Sequence, residues 1–100
     1  MKGMMAPEVF ISYAAADKMV ADAVCWRLES IHHVPCWIAP RDVPPGKSSS
    51  KSSLDALDRA KVMVLVFSGD ENASPQIARE VARAVHRGIS VIPLDRKSVV

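Results

Sequence analysis

Six consecutive residues, 62–67 (VMVLVF), carry no polar side chain. A strand with one wet face alternates apolar and polar residues, whereas an unbroken apolar run needs cover on both faces. The run is too short for an ordinary helix and far too short for a bilayer span, which takes about 20 residues. It reads as a central parallel strand with helices packed on either side. Parallel neighbours need crossover connections, so the rest of the chain has to alternate helix and strand.

Three other segments meet that demand. Residues 8–13 (EVFISY) are rich in β-branched and aromatic side chains. Residues 89–94 (ISVIPL) form another strand, with Pro93 near its end. Residues 35–38 (PCWI) form a short one that opens on a proline, a position a strand tolerates. Helices fill the gaps. Asp17 is read as the cap of the first, which runs to about Ser30, with Val20, Val24, Leu28 and Ile31 inside an arc of about 80° and Trp26 outside it. In the second, Ser52 and Asp55 resemble a capping box, and Leu54 and Leu57 supply the apolar face. In the third, Ser74 is the N-cap, Pro75 the first helical residue, Ile77, Val81 and Val85 the stripe, and Gly88 the stop. Residues 44–53 (PPGKSSSKSS) read as a loop leading into the second helix. The order β-α-β-α-β-α-β with right-handed crossovers gives an α/β fold, a parallel sheet with helices on both faces, and the strand order expected for it is the flavodoxin-like 2-1-3-4.

One hundred residues make one domain. A net charge of +2 with both signs interspersed offers no basic face for nucleic acid or an anionic membrane. Residues 1–7 contain one lysine and no apolar segment of signal-peptide length, so a cytoplasmic location is expected. Cys25 and Cys36 lack CxxC spacing and read as small buried thiols in a reducing compartment. His32, His33 and His86 add no ligand spacing, so no metal site is expected.

Several motifs fail on inspection. Gly46-Lys47-Ser48 resembles the end of a phosphate-binding P-loop, but that pattern needs a glycine where Arg41 stands. Pro44 and Pro45 also lack the N–H groups that would cradle a phosphate. A phospho-accepting receiver shares the alternation but needs acids at the ends of its first and third strands, which here read Ser12-Tyr13 and Phe67-Ser68. Arg41-Asp42 reads as a charged turn, or as part of a loop that meets a ligand or a partner.

Taken in order, five segments resemble TIR (Toll/interleukin-1 receptor) domains. They are 8–13 (EVFISY), 36–42 (CWIAPRD) followed by Pro45-Gly46, 64–68 (VLVFS), 74–80 (SPQIARE) with Ala84, and 91–93 (VIP). The second resembles bacterial members in particular. The resemblance covers roughly residues 8–94 and implies one of two roles. Some members recruit other TIR domains; others cleave NAD at the nicotinamide–ribose bond, often as a defence signal. The resemblance implies Glu80 as the catalytic residue. It implies Ser12, Tyr13, Ala14, Trp37, Arg41 and Ser68 as contacts to NAD, which is substrate rather than cofactor. It implies Pro40, Arg41, Asp42, Pro45 and Gly46 as a loop that packs on a neighbouring TIR domain in a homo-oligomer.

The residues give Glu80 a case of their own. Relative to Ile77 it lies at about −60° around the helix, with Val81 at about 40°, on the flank of the apolar stripe. Its helix follows the third strand, beside the switch point where open α/β sheets bind ligands. Against this, Gln76 stands where some active members carry an aromatic, and Ala14, Ala15 and Ala16 offer the first loop no basic side chain. The resemblance also implies a fourth helix, a fifth strand and a last helix that residues 95–100 (DRKSVV) do not resemble. The expectation is a domain incomplete at its C-terminus, with residues 89–94 at an exposed sheet edge.

Overall fold

The computed structural model describes residues 7–67 and 75–95. Four parallel strands form one sheet in the order β2-β1-β3-β4: β1 is Val9–Tyr13, β2 Cys36–Trp37, β3 Val62–Phe67 and β4 Ser90–Asp95. The apolar run is β3, as its composition requires. It pairs with β1 from Val9↔Val62 to Tyr13↔Val66 and with β4 from Val62↔Ser90 to Phe67↔Asp95.

Strand alternation splits the core in two. Val9, Ile11, Val64 and Val66 face α1 (Lys18–Ser30) and meet Ala21 and Cys25. Phe10 and Met63 face the other way, where α2 (Ser49–Arg59) and its C-cap contribute Ala56, Leu57 and Ala60, and α3 (Pro75–His86) contributes Ala84. Each helix puts at least one small residue against the sheet, Ala21 and Cys25 in α1, Ala56 in α2 and Ala84 in α3, beside the larger Leu57 and Ile77.

The helices depart from the sequence reading in their faces and ends. Ile31 and Val85, read as core, are exposed. The innermost residues are Ala21 and Cys25 in α1, and Ile77, Glu80 and Ala84 in α3. Asp17 makes no capping bond, because a 3-10 turn (Ala15–Asp17) runs directly into α1 and Asp17 is buried there. α2 begins earlier than a Ser52 cap would allow: Ser48 is its N-cap, accepting a hydrogen bond from the Lys51 amide at 3.4 Å. The end of α3 is as read, with Gly88 at φ 74°. The Gly88 amide donates to the Val85 carbonyl and the Ile89 amide to that of Ala84, a Schellman pattern. Ser74, the expected cap of α3, lies outside the described residues.

Candidate functional site

Ser12 follows Phe10 by two residues on β1, so strand alternation points it at the α2–α3 side. There it meets Glu80, one turn beyond the start of α3. Ser12 Oγ donates to Glu80 Oε1 at 2.7 Å, and Gln76 Nε2 donates to Oε2 at 3.3 Å. Glu80 is 4% exposed. Burial raises its pKa above the ordinary carboxylate value; the Ser12 bond, then Gln76, Ser53 and the charge of Arg79, oppose that rise. The carboxylate is thus poised by desolvation on one side and donors on the other.

Glu80, Gln76 and Ser12 line a cavity of about 20 Å³ with Tyr13, Trp37 and Ser53. That is room for about one water. Phe10, Ile11 and Ala39 complete the wall. Trp37 stacks on Phe10 with ring centroids 5.1 Å apart and planes 6° apart. The Tyr13 hydroxyl donates to the Ala39 carbonyl and ties the end of β1 to the loop after β2. Ser53 is 1% exposed and its hydroxyl faces the Glu80 carboxylate, although it makes no hydrogen bond of ordinary geometry among the described residues.

Four of the expected residues, Ser12, Tyr13, Trp37 and Glu80, therefore share one cavity. Ala14 and Arg41 do not line it. Ala14 instead accepts from the Asp17 amide at 2.8 Å and opens the 3-10 turn. Arg41 turns toward α1: its guanidinium grips both oxygens of Glu29, at 2.7 and 2.8 Å, and bonds Asp42 and the Cys36 carbonyl. Ser68 lies outside the described residues. Ser53 was missed because its serine-rich surroundings read as loop. The spacing Ser53, Ala56, Leu57, Ala60 was the available signal for a helix face.

The expected loop after β2 is well braced. Pro40, Arg41, Pro45 and Gly46 are exposed. Asp42 holds the loop's base by accepting from the Ile38 amide at 3.0 Å. Pro45 followed by Gly46 at φ 77°, with the Lys47 amide on the Pro44 carbonyl, makes a type II turn.

One cluster goes beyond the sequence reading. Donor atoms of Cys25, Glu29 and Cys36 lie within 4.8 Å of one another. The guanidinium of Arg41 already supplies the cation, reaching Cys25 Sγ at 3.4 Å as well as Glu29. Burial raises the Cys25 thiol and pushes Cys36 up to about 12.

The family model described as TIR domain matches residues 9–98. No curated protein matches the chain. Among solved structures, a metazoan TIR-STING receptor from C. gigas is similar at 29% identity and TM-score 0.75, covering 94% of this chain and 32% of that one. The same receptor in complex with 2′,3′-cGAMP is similar at 30% identity and TM-score 0.70, covering 87% and 28%. The TIR domain of a Toll-related receptor from the lower metazoan Hydra magnipapillata shares the fold at 21% identity and TM-score 0.71, covering 87% and 68%. The chain thus spans about a third of the receptor's length.

Proposed function

The chain belongs to the TIR domain family, and from that premise we propose that it cleaves NAD between nicotinamide and ribose. Water then takes nicotinamide's place at the ribose carbon to give ADP-ribose, or an adenine nitrogen of the same molecule does so to give the cyclised form, and the product is released as a signal in defence or effector action. Nicotinamide leaves from NAD already positively charged, so no acid is needed to expel it. The transition state is oxocarbenium-like, as in glycoside hydrolysis. Ionised Glu80 would hold the ribose hydroxyls and stabilise the developing charge, and Ser12 and Gln76 fix its orientation.

The observation that carries this reading is a buried carboxylate, held by Ser12 and Gln76 and lining a cavity with Tyr13, Trp37 and Ser53, at the switch point between β1 and β3. A cavity of about 20 Å³ does not admit a nucleotide. Binding therefore requires the loop at residues 39–47 to part from Tyr13. Packing of that loop on a second TIR domain is the event we assign to opening, so specific activity should rise with protein concentration.

The test is nicotinamide release followed by chromatography. Glu80→Gln should lower it roughly 100-fold or more, while Asp22→Ala, on the exposed face of α1, should not. A folded wild-type chain that releases no nicotinamide at any concentration refutes the assignment. The small volume of the cavity favours one second reading, assembly with other TIR domains without catalysis, and that same null result is its signature.

A further inference from the structure

A second and much larger hollow lies beside the first. It encloses about 310 Å³ between the loop after β2 and α2, at the sheet edge formed by β2. That volume reaches the lower end of small-molecule pockets, roughly 300 Å³. Trp37 lines it and also lines the Glu80 cavity, so the two hollows share one ring as a wall.

The lining is strongly polarised. α2 presents Ser48, Lys51, Ser52, Asp55 and Arg59 to the groove, a spacing that runs one stripe along about 16 Å of helix axis. The Pro45–Gly46 turn delivers Lys47 to the same groove. Elsewhere in the molecule the basic side chains Lys18, Arg41, Arg83 and Arg87 sit in ion pairs. Lys47, Lys51 and Arg59 make none among the described residues. Of the two acids in the groove, Asp42 is already committed to Arg41 and the Ile38 amide. Asp55 alone remains to face three cations. Ser48 also brings the N-terminus of α2, the positive end of its dipole, to the groove.

The geometry points to this groove as a binding site for a nucleotide-sized ligand carrying two linked phosphates. Lys51 and Arg59 lie two turns apart on one helix face, and Lys47 reaches in from the turn. A single phosphate engages one end of that stripe, whereas a diphosphate spans more of it. The ligand is either the diphosphate of NAD reaching across Trp37 from the Glu80 cavity, or a separate nucleotide. The site stands whether or not Glu80 cleaves NAD, because it is read by equilibrium binding.

The experiment is isothermal titration of the full chain with inorganic pyrophosphate, ADP and adenosine. Pyrophosphate and ADP should bind and adenosine should not. The double variant Lys51→Ala/Arg59→Ala should weaken binding at least 10-fold, and Arg27→Ala/Lys61→Ala, exposed elsewhere, should leave it unchanged. Intact NAD titrated into Glu80→Gln separates the sources. A 10-fold loss on adding the two groove substitutions identifies the substrate's own diphosphate, and ADP binding without NAD binding identifies a separate nucleotide. No heat with pyrophosphate or ADP at millimolar concentration overturns the site. So does binding that the double variant leaves intact, or adenosine binding as well as ADP.

Discussion

Glu80 is the residue whose environment most departs from its chemistry. Its folded pKa is raised, chiefly by burial, above the ordinary 4.5. A carboxyl of that kind adds its stability in full below the unfolded value and loses it as pH rises through the folded one. Glu80→Gln should therefore leave thermal stability unchanged near pH 4 and raise Tm by about a few degrees at pH 7. Equal shifts at both pH values would show that desolvation is not the cause. Activity, where measured, should rise with pH through a midpoint above the ordinary 4.5 of a glutamate. Arg41 carries the opposite lesson. Exposed ion pairs usually contribute little, but this guanidinium serves Glu29 with two bonds and reaches Asp42 and the Cys36 carbonyl besides. An ammonium cannot match that fork, so Arg41→Lys should cost about 1 kcal/mol in urea unfolding. The carboxylate was legible in the sequence because its motif and helix position agreed. Its depth was not: the reading centred α3 on Val81, whereas the buried side runs through Ile77, Glu80 and Ala84.

At the scale of elements, the strands were far more legible than the helix faces. Residues 62–67 admit one reading, and β1 and β4 begin within one residue of where their composition puts them. Helix faces were displaced because the reading weighted large apolar side chains. Where a helix lies close on a sheet, alanine and cysteine share the contact line with larger residues such as Leu57 and Ile77. Ala21, Ala56, Ala60 and Ala84 are all buried for that reason, while Val85 is 68% exposed. Neighbouring residues in α3 should consequently respond in opposite ways. Ala84→Leu forces extra volume under the helix and should cost about 1–3 kcal/mol. Val85→Ser should change stability by less than about 0.5 kcal/mol. Chemical denaturation of the two variants decides it, and a large loss at Val85 would mean that its face of α3 is covered. The early start of α2 escaped the reading because Ser48 to Ser53 offers five serines, each of which favours caps and turns. Which serine caps the helix depends on where Leu57 and Ala60 must land on the sheet.

For the molecule as a whole, chain order and crossover handedness required a parallel sheet covered on both faces, and the flavodoxin-like order expected for it, β2-β1-β3-β4, is observed. That order leaves β4 with a single pairing partner among the described residues. Its Ile92 is 50% exposed. An apolar edge is a template for pairing with another chain. The 100-residue chain should therefore sediment as a concentration-dependent mixture, and Ile92→Lys should shift it toward monomer. A stable monomer with strongly protected amides at residues 90–92 would show the edge covered within one chain. A different consequence follows from the stacking of Trp37 on Phe10. The chain has two tryptophans. Trp26 sits on the outer side of α1, 63% exposed, and Trp37 is buried where two cavities meet. With Trp26 replaced by phenylalanine, the remaining indole becomes a built-in optical reporter. A shift in its emission would register filling of either hollow, and iodide quenching would time the parting of the loop, with no dye attached.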